Sequence, residues 1–214
     1  AVDKGSLSPR DIICLNPDGT IDGPHKPSSE LPFHKAIYQV RPDLKAVVHA
    51  HPPALVSFSI VRKVPDTRVI PQAQQICGPI GYAPYSLPGS QKLGDMIARE
   101  FARGYNSVIM ENHGTVVGGT NLIEAYERFE AMEFCARTLI NARSVGEPRF
   151  LTDDQLEAFD AQIPHDIPEF TEVLTASDEK AIRADIVKMV RRACDQGLMM
   201  STYGTASVRW RGND

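Results

Sequence analysis

Two imidazoles stand one residue apart at the end of the run Ala46-Val47-Val48-His49-Ala50-His51. Side chains on a strand alternate between faces, so His49 and His51 project to the same side and can grip one ion together. The spacing alone fits two partly exposed ring donors equally well. His113 adds a third ring within Asn112-His113-Gly114, where asparagine and glycine tolerate the sharp backbone bend that aims a side chain. Three neutral imidazoles bind Zn²⁺ at about 2.0–2.1 Å and leave a fourth position open, the arrangement of a catalytic rather than a structural site. Mn²⁺ or Co²⁺ could take the same place. A carboxylate beside the open position can move protons, and Glu30 is the candidate. In the first turn of a helix the same glutamate could instead only complement the helix dipole. Ser28 and Ser29 precede it, and either can cap that helix.

The elements that must carry these residues follow from periodicity. Asp11 to Leu15 predicts a strand ending in the turn Asn16-Pro17-Asp18-Gly19. A helix capped by Ser28 or Ser29 carries Phe33, Ala36, Ile37 and Val40 at i, i+3, i+4, i+7, places Glu30 and Pro32 in its first turn, and ends at Pro42. Ala46 to His51 reads as a buried strand stopped by Pro52-Pro53, followed by a short helix through about Ile60. Ser90 to Gly104 predicts a helix, Ser107 to Met110 a strand, Glu111 to Gly114 a sharp turn and Thr115 to Gly118 another strand. Asn121 caps a long helix through Leu122, Ala125, Phe129, Met132, Cys135 and Leu139. Residues 144 to 180 read as a tail with one helical pattern near Leu156 and Phe159. A further helix runs from about Lys180 to a stop at Gly197, and Ser207 to Trp210 reads as the start of a strand.

The 214 residues, 42% of them hydrophobic, suffice for one full core, and 23 basic residues against 27 acidic ones give a net charge of −4 with no long run of either sign. No electrostatic footprint for nucleic acid or an anionic membrane exists, so a small molecule is the expected partner. Neither a signal peptide nor an apolar stretch of membrane-spanning length is evident, and a cytoplasmic protein is expected. Cys14, Cys77, Cys135 and Cys194 are too scattered for a metal pair or a disulfide framework and read as reduced core thiols. His34, one turn after Glu30, reads as a packed or solvated ring, and His25 and His165 sit in proline-rich loops without ligand spacing. Tyr82 and Tyr85 read as core or interface aromatics.

Taken in order, these motifs resemble the class II aldolase/adducin family. The resemblance rests on Lys26-Pro27-Ser28-Ser29-Glu30, on His49-Ala50-His51-Pro52-Pro53 nineteen residues after the glutamate, on Ala83-Pro84-Tyr85, and on Asn112-His113-Gly114 sixty-two residues after the second histidine. It runs almost continuously from residue 1 to about 143. It implies an α/β fold of layered α-β-α type, with a central, mostly antiparallel sheet flanked by helices. It also implies a homo-oligomer, commonly a tetramer, with active sites at subunit contacts. In such enzymes the histidines hold Zn²⁺, the ion chelates adjacent carbonyl and hydroxyl oxygens of a ketose, the glutamate shuttles the proton, and the serines bind phosphate. The implied activity is that of a zinc-dependent lyase that cleaves a carbon–carbon bond in a small sugar phosphate or hydroxy-carbonyl compound by a retro-aldol route, through an enediolate stabilised by the metal. Epimerases, decarboxylases and dehydratases share the scaffold; Glu30 argues against the epimerase branch, which has aspartate there. A non-catalytic adducin-like head is the competing class, and the intact histidine set argues against it.

The match departs at both ends. Family members open with a helix, a Gly-Asn-x-Ser phosphate loop and two strands before the segment corresponding to Val2 to Pro9. Here Ile186 to Arg209 resembles that opening, with Thr205 in place of the asparagine. The expected division is a domain over 1–150, a linker over 151–179, and over 180–214 either the start of a second copy or the missing opening of the first. The family's proton-donating C-terminal tyrosine has no identifiable counterpart.

Overall fold

The computed structural model describes residues 2–163, 169, 171 and 176–210. Its centre is a sheet of strands β3 (Ala46–Ala50), β4 (Gly81–Ala83), β5 (Ser107–Met110) and β6 (Gly114–Gly119), in the spatial order β3-β6-β5-β4. The β3/β6 and β5/β6 pairings are antiparallel and β4/β5 is parallel. The sheet is therefore mixed and mostly antiparallel, as expected. A separate two-stranded hairpin, β1 (Cys14–Leu15) with β2 (Ile21–Asp22), closes around the Asn16–Gly19 turn. Only the last two residues of the predicted strand 11–15 pair in this ladder, because Pro9–Asp11 coil into a 3-10 turn closed by a Ser8–Asp11 capping box.

Strand alternation builds a core on each face. Val108, Met110 and Val116 face α1 (Leu31–Val40) and α4 (Gln91–Ala102), where they meet Phe33, Ile37, Leu93, Ile97 and Phe101. Ala46, Ile109 and Val117 face the other way, toward α2 (Pro53–Ile60), α3 (Pro71–Cys77) and α5 (Leu122–Val145), with Leu55, Phe58, Met132 and Leu139. β5 and β6 are buried along their whole length, which explains why they read as apolar runs. Each large side chain so buried contributes about 1.5–3 kcal/mol.

The helix boundaries follow local chemistry. Ser90 and Asn121 cap α4 and α5 through their side-chain oxygens, accepting from the N–H groups of Leu93 and Glu124. At α1 neither serine caps: Glu30 occupies the cap position, Pro32 lies inside the first turn, and the Ser28 hydroxyl accepts from the Glu30 N–H at 3.2 Å. α6 (Asp153–Asp160) accounts for the helical pattern near Leu156 and Phe159, and the Leu151 N–H donates to the Arg68 carbonyl, so the tail lies against the domain. α7 (Ser177–Asp195) begins three residues before the expected start at Lys180. The expected strand Ser207–Trp210 has no ladder; instead the Trp210 indole N–H donates to Asp178. Tyr203 stacks edge-on against Phe134 of α5. Of the four cysteines only Cys77 and Cys135 are core thiols, with Cys135 pushed up to about 12 by burial and Cys77 pushed up by burial as well, whereas Cys14 and Cys194 are exposed.

One buried cation ties the second core together. The Arg128 side chain, 9% exposed, donates to the carbonyls of Ile76 and Gly118 and pairs with Glu124 at 2.8 Å. Replacing it with methionine keeps most of the volume and leaves two buried carbonyls unpaired. Arg128→Met is expected to cost about 2–4 kcal/mol, read as a lower midpoint in urea denaturation at an unchanged slope.

Candidate metal centre

The three histidines meet where β3 ends and the β5–β6 hairpin turns. His49 pairs with Val116 across the ladder and faces the α1/α4 side, its ring edge-on to Phe33 at 5.2 Å. Its Nδ1 lies 2.9 Å from the Thr115 carbonyl, which can only accept, so Nδ1 carries the proton and Nε2 is left with its lone pair. That Nε2 is buried and has no partner. Burial pushes the His49 imidazole down to about 4, the Thr115 carbonyl opposing and the His51 and His113 rings adding to the depression. The ring is therefore neutral at ordinary pH, the form a metal ion requires.

His113 follows Asn112, whose φ of 53° is left-handed, a conformation asparagine adopts more readily than most residues. This bend, closed by the His113 N–H on the Met110 carbonyl, turns the His113 ring back over the end of β3. His51 sits opposite, and the space it occupies exists only because residue 114 has no side chain: a Cβ there would lie 2.6 Å from the Ala50 carbonyl oxygen and 2.8 Å from His51 Cδ2. The ring centroids are 4.7 Å (His49–His51), 5.0 Å (His49–His113) and 5.1 Å (His51–His113) apart. One nitrogen from each lies within 4.8 Å of the others, a set that could hold a metal ion.

Glu30 belongs to the same place. Its carboxylate acts on His113, where burial lowers the ring's proton affinity, Glu30 opposes and His51 adds. Glu30 makes no capping bond to α1, and its Oε2 is buried without a partner, as is His113 Nδ1. Three groups from separate segments, Glu30, His49 and His113, thus converge with buried unpaired atoms, which is costly unless something positive joins them. Ser28 and Ser29 are exposed just before Glu30, and the Ser29 carbonyl abuts Gly89, whose φ of 77° needs a glycine. His34 stacks on Phe33 at 4.7 Å, and burial lowers its affinity for a proton. His25 pairs with Asp11, away from the cluster, and His165 lies outside the described residues. Tyr82 packs against the α2/α3/α5 core, while Tyr85 exposes its ring and donates its N–H to Glu111. Sequence reasoning missed Glu111 and the steric part of Gly114. Glu111 ties Arg62 (2.8 Å) to the Tyr85 amide (3.1 Å) immediately before the His113 turn.

Residues 1–140 match the family described as the Class II Aldolase and Adducin N-terminal domain. The chain belongs to the class II aldolase/adducin family. The matched span contains Glu30 and all three histidines. Over 152 residues the chain is 36% identical to the 5-deoxy-D-ribulose 1-phosphate aldolase of Bacillus thuringiensis serovar kurstaki, with 70% of each chain covered. It is 30% identical over 157 residues to the 3-oxo-tetronate 4-phosphate decarboxylase of Haemophilus influenzae, covering 72% of this chain and 74% of that relative. Among solved structures, an L-fuculose 1-phosphate aldolase superposes with a TM-score of 0.66 at 28% identity, covering 75% of this chain and 76% of its own.

The close approach at Gly114 gives a test of the site's packing. Gly114→Ala forces the β3 end or the His51 ring to shift, at an expected cost of about 1–3 kcal/mol. Histidine side-chain NMR should show the His51 resonances moving far more than those of His25, which lies outside the cluster.

Proposed function

We propose that this chain is a metal-dependent lyase, with Zn²⁺ held by His49, His51 and His113, that cleaves a carbon–carbon bond in a small sugar phosphate or related hydroxy-carbonyl compound. The observation that carries the reading is the convergence of unpaired groups: His49 Nε2, its tautomer set by Thr115, in one cluster with His51 and with His113, on which the carboxylate of Glu30, its Oε2 buried and unpaired, acts. The residues fit the ion, since three imidazoles leave a coordination position open. When bound, the ion supplies a Lewis acid that stabilises negative charge developing on substrate oxygens.

The chain's own groups supply the rest. In the cleavage direction a substrate hydroxyl loses its proton as the bond breaks, and the carbon that keeps the electron pair regains one. Glu30, at the N-terminal end of α1 and beside His113, is the group that takes and returns that proton. Ser28 and Ser29, exposed before the first turn of α1, would meet the phosphate of the substrate. Decarboxylation is a second reading, supported by the similarity to a 3-oxo-tetronate 4-phosphate decarboxylase.

The same reading takes the protein as a cytoplasmic homo-oligomer. Among the described residues no helix is long and apolar enough to cross a membrane. Ile60, Val61, Tyr85 and Leu87 expose large apolar surfaces on the two loops that Glu111 ties together beside the His113 turn, which supports a subunit contact near the site. Residues 1–150 form the unit that carries the site. For the segment 180–214, of which 211–214 lie outside the described residues, the packing of Tyr203 on Phe134 supports a completion of that unit over the opening of a second copy.

Metal analysis combined with an aldol, retro-aldol and decarboxylation screen tests the function. His49→Ala, His51→Ala and His113→Ala should each strongly reduce bound metal, and undiminished metal in any one of them would contradict the site. Glu30→Gln keeps the size and removes the basicity, so metal should stay while turnover falls by about 10²–10⁴-fold. If Glu30 only complemented a helix dipole, the change would instead cost on the order of 0.3–1 kcal/mol of stability and spare catalysis.

A further inference from the structure

The three histidines are not held alike. His49 is anchored by the Thr115 carbonyl, whereas among the described residues the exposed His51 ring has no hydrogen-bond partner. Its neighbours are the bare Cα of Gly114, the face of His113 and, edge-on at 4.7 Å, the His49 ring, none of which bonds to it. The direction in which His51 points is therefore inherited from its backbone, and that backbone runs straight into Pro52, Pro53 and α2.

The first turn of α2 presents an uncommon accounting problem. A helix start leaves several N–H groups without intrahelical partners, and a side-chain oxygen at the cap position ordinarily takes one. Here the cap residue is Pro52, which has no such oxygen, and Pro53 has no N–H. Two free amides remain, on Ala54 and Leu55, both buried. They donate to one carboxylate from another element: Glu133 of α5, with Oε1 3.4 Å from the Ala54 nitrogen and Oε2 3.1 Å from the Leu55 nitrogen. The Glu133 side chain is 13% exposed and also pairs with Arg137 at 3.2 Å. Its negative charge complements the positive end of the α2 dipole.

The geometry assigns to Glu133 a positioning role at the metal centre: by clamping the start of α2 to α5, its carboxylate sets where the backbone presents His51. This assignment rests on the metal reading above. Glu133 touches neither the ring nor the ion; it holds the Pro52-Pro53 turn, and loosening that turn frees a histidine whose ring has no hydrogen-bonded anchor. Groups that hydrogen-bond a metal ligand directly contribute about 10–100-fold in metal affinity, and that range sets the scale of the effect expected for Glu133, which acts through the backbone beyond the ligand.

The test is the Zn²⁺ affinity of the folded chain, measured by competition with a chromogenic chelator well below the melting temperature. Wild type, His51→Ala, Glu133→Ala, Glu133→Gln and Glu130→Ala, the last one turn earlier on α5, are compared. The expected order is wild-type affinity in Glu130→Ala, a modest loss in Glu133→Gln, which keeps one acceptor oxygen, and a loss of about 10–100-fold in Glu133→Ala. A role confined to stability would lower the melting temperature of the Glu133 variants and leave their zinc affinity at the wild-type value, and that result would overturn the assignment. Should Glu133→Ala fail to fold, Glu133→Gln decides alone by the same criterion. If wild type binds no zinc, or His51→Ala binds it as tightly as wild type, the metal reading itself fails and this inference with it.

Discussion

The antiparallel register between β3 and β6 brings the end of one strand against the beginning of the other, and nearly every feature of the site depends on that alignment. With Ala50 opposite Thr115 and His49 opposite Val116, the His49 ring reaches the Thr115 carbonyl, His51 falls beside Gly114, and the turn carrying His113 folds over both. A slip of one residue would send His49 and His51 to the α2/α3/α5 face. Burial on both sides prevents this: Ala46 and Val48 pack into one core and Val47 into the other.

Around this register the two layers of helices have distinct duties. α1 and α4 supply the apolar floor, with Phe33 set edge-on to His49, and the N-terminal end of α1 delivers Glu30. α2 and α5 lock the far side, where Arg128 and Glu133 satisfy backbone groups that would otherwise be buried without partners. That layer leaves isolated buried hydroxyls such as those of Tyr82 and Tyr203 unpaired, whereas at the centre three unpaired groups, His49 Nε2, His113 Nδ1 and Glu30 Oε2, come together. Such a contrast marks a place shaped to receive a ligand at the expense of its own stability.

Much of this was legible in the residues. Strand alternation placed His49 and His51 on one face, and helical periodicity located α1, α4 and α5 to within a few positions. The cap chemistry expected of Asn121 is present and that expected of Ser28 or Ser29 is absent, because Glu30 rather than a serine occupies the start of α1. Local pattern could not show the close approach at Gly114 or the clamp by Glu133, since both join residues far apart in the chain. The two exposed cysteines and the Ser207–Trp210 segment, which joins no ladder, depart from expectation for a related reason: composition reports what a residue tolerates, and only tertiary neighbours decide whether it is covered.

The placement of the histidines on β3 and on the β5–β6 hairpin has a kinetic consequence. One of them lies on a strand packed among aliphatic neighbours, the second immediately after its end and the third on a hairpin joined to it by backbone hydrogen bonds, so sheet formation alone brings them together. An ion need not act as a folding nucleus, in contrast to small domains that are unfolded without their metal. Loading then becomes a late step, limited by access to a finished site, and a newly made chain in metal-poor surroundings waits as a folded apoprotein.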